Sequence, residues 1–598
     1  MHNLPDRSTV DKKYRWNDEA VFADSAAWKR EYEAVSALLP SLAERAGTLS
    51  DGPAALLDFL ILNERTEARV ETLAFYATMR GACDSGDEEA QSLSGRAGAL
   101  SGRYAEAVAF LEPELLALGE ETIAAWKAEN GELAAFGHWF DDLFRLRSHV
   151  RSAEVEAVLG AAQEVFAGAA SIHDMLVDSD LPFGDARDSA GNAVPVEQST
   201  IDTLLGSPDR ALRKSAWESY CDAHLAFAPS LAASLVTDVK KDCFLARARG
   251  YGSSLEAALS ADNIPLATFE TTLAVFKKNR PLWHRYWKAR AKALGLKKMS
   301  HWDIWAPLSK NPPKVPFETA VDWICEALAP LGEPYAERLR KGCLEERWVD
   351  AYPTKGKSQG AFSYGSRSTA PYIMMSYADD LSSLSTLTHE LGHSMHSALT
   401  RSAQRATYAD YGIFAAEVAS NFHQAMTRDY LFRHNADRDF QIALIEEAME
   451  NFHRYFFIMP TLALFERETH RRVWAGEGPT ATELNELTAD LFAAGYGDAV
   501  EVDREREGST WAQFGHLYMN FYVFQYATGI SAAHALAGPI LAGDRDAAKR
   551  YVEFLSAGDS LYPVDALRRA GVDMTGPAAM EAGFRTLESL VSRFESLL

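Results

Sequence analysis

The stretch Thr388-His389-Glu390-Leu391-Gly392-His393 constrains the fold most, because its residues make chemical sense only on a helix. It reads H-E-x-x-H, with Leu384, Leu387 and Leu391 at roughly helical spacing. Positions i and i+4 share a helix face, so His389 and His393 can turn imidazole nitrogens to one metal ion. Glu390 is displaced around the helix but still reaches a water on such an ion, where it can act as general base. Zinc suits this set: it takes neutral imidazole, and three protein ligands leave a fourth position open.

A second helix must supply the third ligand. Tyr411 to Ser420 carries Glu417, 24 residues beyond His393 and flanked by apolar residues. A lone carboxylate in such a segment is costly unless paired or metal-bound. As third ligand Glu417 would complete a His2Glu site with an open water position. A structural ion pair is the other reading of that glutamate. The remaining singular groups here, His396, His423 and Asp410, read as structural, although a carboxylate near a ligand histidine commonly orients it.

The rest of the chain is mainly helical in pattern. From Ser25 to about Asn130 apolar residues recur at helical spacing, broken at Pro40, Asp51-Gly52-Pro53, Gly86 and Gly119. Residues 1–20 read as an extended lead-in anchored by Trp16. A β-hairpin is expected between Leu181 and Asn192. A long helix should start at Ser207-Pro208, with Ser207 as its cap, and run to about Arg249. Another should follow Pro265. Further helices are expected at about 317–329, 334–344, 411–433, 437–473, 481–495, 510–541, 545–557 and 576–597. Between Ala351 and Tyr377 the texture changes to Gly, Ser and Tyr, ending in the β-type run Pro371 to Tyr377. An edge strand there could pair with an extended peptide, or the sheet could simply pack the helix. With no repeat and no long linker, the lobes should be interleaved.

Composition narrows the function. With 47% apolar and 24% charged residues, the 598-residue chain has the profile of a folded globular protein. A net charge of -24 argues against binding nucleic acid or anionic membrane. No stretch approaches 18 uninterrupted apolar residues, and the polar N-terminal segment lacks the apolar core of a signal peptide. The five cysteines are scattered without a C-x-x-C pair, as expected of buried thiols in a reducing cytoplasm.

A second cluster runs from Trp511 to Gly529. Aromatic stripes at helical spacing are usually core. Yet Tyr522 and Tyr526 are spaced i, i+4 and carry hydroxyls, with His516 nearby. Phenol and imidazole N–H groups are the donors that an oxyanion needs.

Taken together these motifs resemble the M3 family of zinc metallopeptidases, in its oligoendopeptidase F branch. The resemblance is carried by Ser385-Thr-Leu-Thr-His-Glu-Leu-Gly-His-Ser-Met-His396, by Tyr408 to Ser420, by His516, and by the Phe521 to Gly529 run. It covers roughly residues 200–590 well and the N-terminal part loosely. It implies a mainly α, two-lobed body enclosing a deep substrate channel, with a small β-sheet beside the zinc helix. It divides the chain into a helical oligopeptidase F-like region, 1–200, and an M3-type catalytic region, 201–598. It makes His389, His393 and Glu417 the ligands of one zinc ion and Glu390 the general base. His516 and Tyr526, with Tyr522 beside them, become donors to the substrate carbonyl and oxyanion. The sequence departs from the branch at Phe524, where a tyrosine is common, which bears on the donor assignment.

The expected activity is zinc-dependent hydrolysis of internal bonds in short oligopeptides. The expected partners are peptide substrates, not nucleic acid or membrane, and no feature specifies an oligomeric state. Two alternatives remain at this level: a dipeptidyl carboxypeptidase-type exopeptidase, and a non-catalytic zinc-containing peptide-binding protein. Intact Glu390 and an open ligand position weigh against the second, because structural zinc sites are usually closed by four protein ligands.

Overall fold

The computed structural model describes residues 4–309 and 311–598. Helices dominate, and the strands are short. Residues 1–3 of the lead-in and Lys310 lie outside the described residues. The chain divides into two interleaved units of three segments each. One comprises Met1–Arg147, Lys314–Leu431 and Leu536–Gly571, the other Ser148–Pro313, Phe432–Ala535 and Val572–Leu598.

In the first unit the helices Ser25–Ala43, Pro53–Cys83 and Glu88–Val108 pack on one another. Their apolar stripes supply a buried core that includes Trp28, Leu60, Leu73 and Leu93. The lead-in is anchored as expected: Trp16 is buried, with its ring 5.1 Å from that of Tyr372. Tyr372 belongs to a three-stranded sheet in the order Val349–Asp350, Tyr372–Met374, Phe362–Tyr364. The first pair is parallel and the second antiparallel. The run near 371–377 is therefore the central strand, not an edge. Its three residues are fully buried and apolar enough to sit between two neighbours, whereas Phe362–Tyr364 is half exposed and takes the outer position.

The second unit is built on the long helices Ala228–Ala248, Leu266–Ala293, Met459–Trp474, Ala481–Tyr496 and Ala578–Leu597. Trp283, Trp287, Phe457 and Tyr496 interlock in its core at ring separations of 5.0–5.7 Å. The expected hairpin pairs Ala186–Arg187 with Ala193–Val194.

Several expected elements differ in detail. The cap of the helix Arg210–Ala226 is Asp209, whose carboxylate accepts the N–H groups of Ala211 and Leu212; Ser207 instead accepts from Asp209 N. The helix expected over 437–473 is interrupted by a π-turn at Arg454–Ile458, just before Pro460. Proline has no N–H to give the preceding turn and its ring crowds that turn's carbonyl, so the widened turn absorbs the mismatch. A helix at Pro563–Ala570 was not anticipated. One helical run among the described residues, Glu154–Asp180, is long and apolar enough to cross a membrane by length and composition. It carries the acidic residues Glu154, Glu156, Glu164, Asp174, Asp178 and Asp180.

Candidate metal centre and donor cluster

The motif lies in the helix Leu381–Ala403, capped by Asp380, whose carboxylate accepts Ser383 N. Its apolar face, Leu384, Leu387, Leu391 and Met395, is buried. Glu417 lies on the helix Ile413–His434. The two helices touch at Gly392, where an added Cβ would stand 2.5 Å from Ser420 Cα and 2.6 Å from the Ala419 carbonyl oxygen. Only glycine permits that approach, so the residue between the two histidines decides how near Glu417 can come.

His389, His393 and Glu417 form the one group among the described residues whose donor atoms could hold a metal ion, all within 4.8 Å of one another. His393 Nε2 lies 3.2 Å from His389 Nε2, and His389 Nε2 lies 3.6 Å from Glu417 Oε2. Tetrahedral donors about 2.0–2.1 Å from a zinc ion are roughly 3.3 Å apart, so the observed spacings fit that ion. The tautomer fits as well. His389 Nδ1 donates to Gln424 Oε1 at 3.3 Å, which leaves its Nε2 lone pair facing the other ligands. Gln424 is fixed in turn by donating to Ser385 Oγ at 2.8 Å. Glu417 Oε2 accepts from Ser420 Oγ at 3.1 Å. These partners were not singled out in the sequence. Gln424 was legible, because it lies two helical turns beyond Glu417 on the same face.

Glu390 is buried at 6% exposure. Burial pushes its carboxyl up to about 7, and the nearby Glu417 adds to the rise; a backbone hydrogen bond from Ser363 and the neighbouring His389 oppose it. Ser363 belongs to the edge strand Phe362–Tyr364, which with Gly365 and Arg367 lines one pocket together with His389, Glu390, His393 and Glu417. Burial drives His393 well below its ordinary value, so it is a neutral imidazole, the form that binds metal.

The three residues read as structural fall outside the ligand group. His396 stacks on Tyr411 at 3.6 Å, and His423 Nε2 meets Tyr335 OH at 2.6 Å; burial lowers both to about 3. Asp410 accepts its neighbour's N–H at the pocket mouth. Tyr411, overlooked as a functional candidate, lines the pocket and donates to the His393 carbonyl at 3.1 Å.

The second unit gathers the other candidates. The expected helix over 510–541 begins only at Phe524; before it lie 3-10 turns at Ser509–Gln513 and Gly515–Tyr518. Tyr522 and Tyr526 are therefore not consecutive turns of one helix, yet their hydroxyls meet at 3.1 Å. The His516 ring lies 6.0 Å from Tyr522 and 5.9 Å from Tyr526. Tyr526 stacks on Tyr455 of the π-turn at 5.0 Å. The helix is interrupted at Phe521, which holds a left-handed φ of 51°, unusual for an aromatic residue. Its N–H donates to Glu466 Oε1 at 2.8 Å, and Glu466 is 2% exposed. A buried carboxylate thus pins the loop between His516 and Tyr526. Burial, aided by Arg454, lowers His516 to about 4, so at neutral pH it offers one N–H and one lone pair.

Residues 203–586 match peptidase family M3, and residues 114–183 match the family described as oligopeptidase F. The chain is 37% identical to oligopeptidase PepF of Bacillus subtilis, over 100% of this chain and 89% of that protein. It is 33% identical to group B oligopeptidase PepB of Streptococcus agalactiae, over 99% and 98% of the two chains. The crystal structure of oligoendopeptidase-F from Enterococcus faecium superimposes with a TM-score of 0.75 at 30% identity, covering 96% of this chain and 99% of that one.

Proposed function

We propose, from the premise that this chain belongs to peptidase family M3 in its oligopeptidase F branch, a residue-level account of how it cleaves peptides. The protein is a metalloendopeptidase that hydrolyses peptide bonds of oligopeptides. The metal is zinc, one ion per chain, held by His389, His393 and Glu417. The observation that carries this is the spacing of their three donor atoms, with His389 turned by Gln424. Bound there, zinc supplies a Lewis acid that polarises the scissile carbonyl and acidifies the attacking water.

The chain's own groups do the rest. Glu390 takes the water's proton on its carboxylate and delivers it to the leaving amine. Its buried setting supports this, because a carboxyl raised toward neutrality is matched to both halves of the transfer. His516 and Tyr526 donate to the carbonyl oxygen as it gains charge, with Tyr522 holding the Tyr526 hydroxyl. Phe524 is buried and has no hydroxyl with which to donate. The edge strand Phe362–Tyr364 pairs with the substrate backbone and keeps it extended. The division into 1–200 and 201–598 is retained as the sequence-level division, supported by family matches that fall on either side of it. Five free, buried cysteines support a reducing cytoplasm as the site of action.

Glu390→Gln tests the account. It should keep one zinc per chain and lose about a thousandfold in turnover of an internally quenched peptide. Near-native turnover would sink the general-base assignment.

A further inference from the structure

A cavity of about 870 Å³ lies within the second unit, and His516 is part of its wall. Two features mark it as more than a packing defect. Both π-turns among the described residues open onto it, Leu176–Asp180 through Asp178 and Arg454–Ile458 through Arg454; such turns recur at functional sites. His453 also lines it, 3% exposed, with a hydrogen-bond partner on neither ring nitrogen. A buried imidazole with neither nitrogen bonded to the protein is costly, and a polar group held in the cavity would relieve that cost.

The charge of the wall says which kind. Carboxylates of Asp174, Asp178, Asp202, Glu446 and Glu450 face two guanidinium groups, Arg290 and Arg454. Arg290 donates to the Ala306 carbonyl and is a countercharge to both Glu446 and Glu450, while Glu446 accepts the N–H groups of Leu308 and Ser309. Arg454 acts on both Glu450 and His516. Asp178, Asp202 and Glu450 receive no hydrogen bond or ion pair from any described side chain. Burial raises the Glu450 carboxyl, and the negative charges of Glu447 and Asp202 add to the rise against Arg290 and Arg454. Their oxygens do not converge as metal ligands would. The other walls are aromatic, including Trp287 and Trp305, whose rings lie 5.2 and 4.9 Å from His453. Negative charge that is spread out, aromatic faces and an unpartnered imidazole lone pair together suit a long organic cation, with its methylene stem along the rings.

We propose that this cavity is a substrate subsite for a basic side chain, the guanidinium of arginine or the ammonium of lysine, held by Glu450 and Asp202. The assignment rests on the reading of His516 as a substrate contact, since that residue ties the cavity to the peptide.

The test uses internally quenched nonapeptides with blocked termini, in which a single arginine is moved along the sequence. Each has a control with citrulline, its uncharged near-isostere, at the same position. At one position arginine should raise kcat/KM about tenfold or more over citrulline. The double variant Glu450→Gln/Asp202→Asn, whose changed groups are exposed to the cavity and keep their shape, should collapse that ratio toward one. A ratio near one at every position, or a preference that survives the double variant, would overturn the subsite. If wild-type protein with zinc cleaves none of the peptides, or Glu390→Gln cleaves them all, the catalytic reading has failed instead.

Discussion

At the scale of single residues, the proposed metal centre depends on groups that hold its candidate ligands still. Gln424 accepts from His389 Nδ1 and is itself anchored on Ser385 Oγ. Partners of this kind fix the tautomer and ring angle of a metal-binding histidine, and losing one typically costs 10–100-fold in affinity. Gln424→Leu should therefore weaken zinc binding by about that factor, measured by competition with a chelator of known affinity, while the fold persists. Unchanged affinity would mean that the hydrogen bond does not set the ligand. The proposed ligands and the proposed base Glu390 could be picked out of the sequence because H-E-x-x-H has a fixed helical meaning. Ser363 was not: its approach to Glu390 depends on a strand whose position no local pattern specifies.

At the scale of elements, the close approach of two helices and the pinning of one loop matter most. Gly392 sits where an alanine Cβ would overlap the backbone of Ser420. Gly392→Ala should force the helices Leu381–Ala403 and Ile413–His434 apart, costing about 1–3 kcal/mol in stability and moving Glu417 away from His389. Thermal melts with and without zinc would check this: a lowered melting temperature should come with a smaller zinc-induced stabilisation. A variant as stable and as zinc-responsive as the parent would contradict it. In the second unit, Glu466 accepts the N–H of Phe521, which holds a left-handed φ. Glu466→Leu leaves that buried donor unpaired, a loss of about 1–3 kcal/mol, and should lower kcat about tenfold; Glu466→Gln keeps an acceptor and should recover most of it. Equal losses in both variants would show that the loop is not held through this bond. The aromatic spacing of 511–529 suggested one helix, and the structure breaks it at Phe521 because a long-range carboxylate, 55 residues away, captures the N–H. The run 371–377 was legible as a strand, but its central place depended on Val349–Asp350 and Phe362–Tyr364, too short to stand out as strands.

At the scale of the whole molecule, the absence of linkers pointed to interleaving, and each unit is indeed assembled from three separated segments. The metal group lies in one unit and the His516 cluster in the other. Helical periodicity revealed most of the body. It did not reveal the segment boundaries, because these depend on which helices share a core and not on local pattern. The central claim for the molecule is that one zinc ion on His389, His393 and Glu417 underlies all its peptide cleavage. Protein stripped by a chelator should bind one equivalent of zinc per chain and regain cleavage of an internally quenched peptide in proportion to zinc bound. Full cleavage by zinc-free protein, or recovery that continues beyond one equivalent, would contradict it.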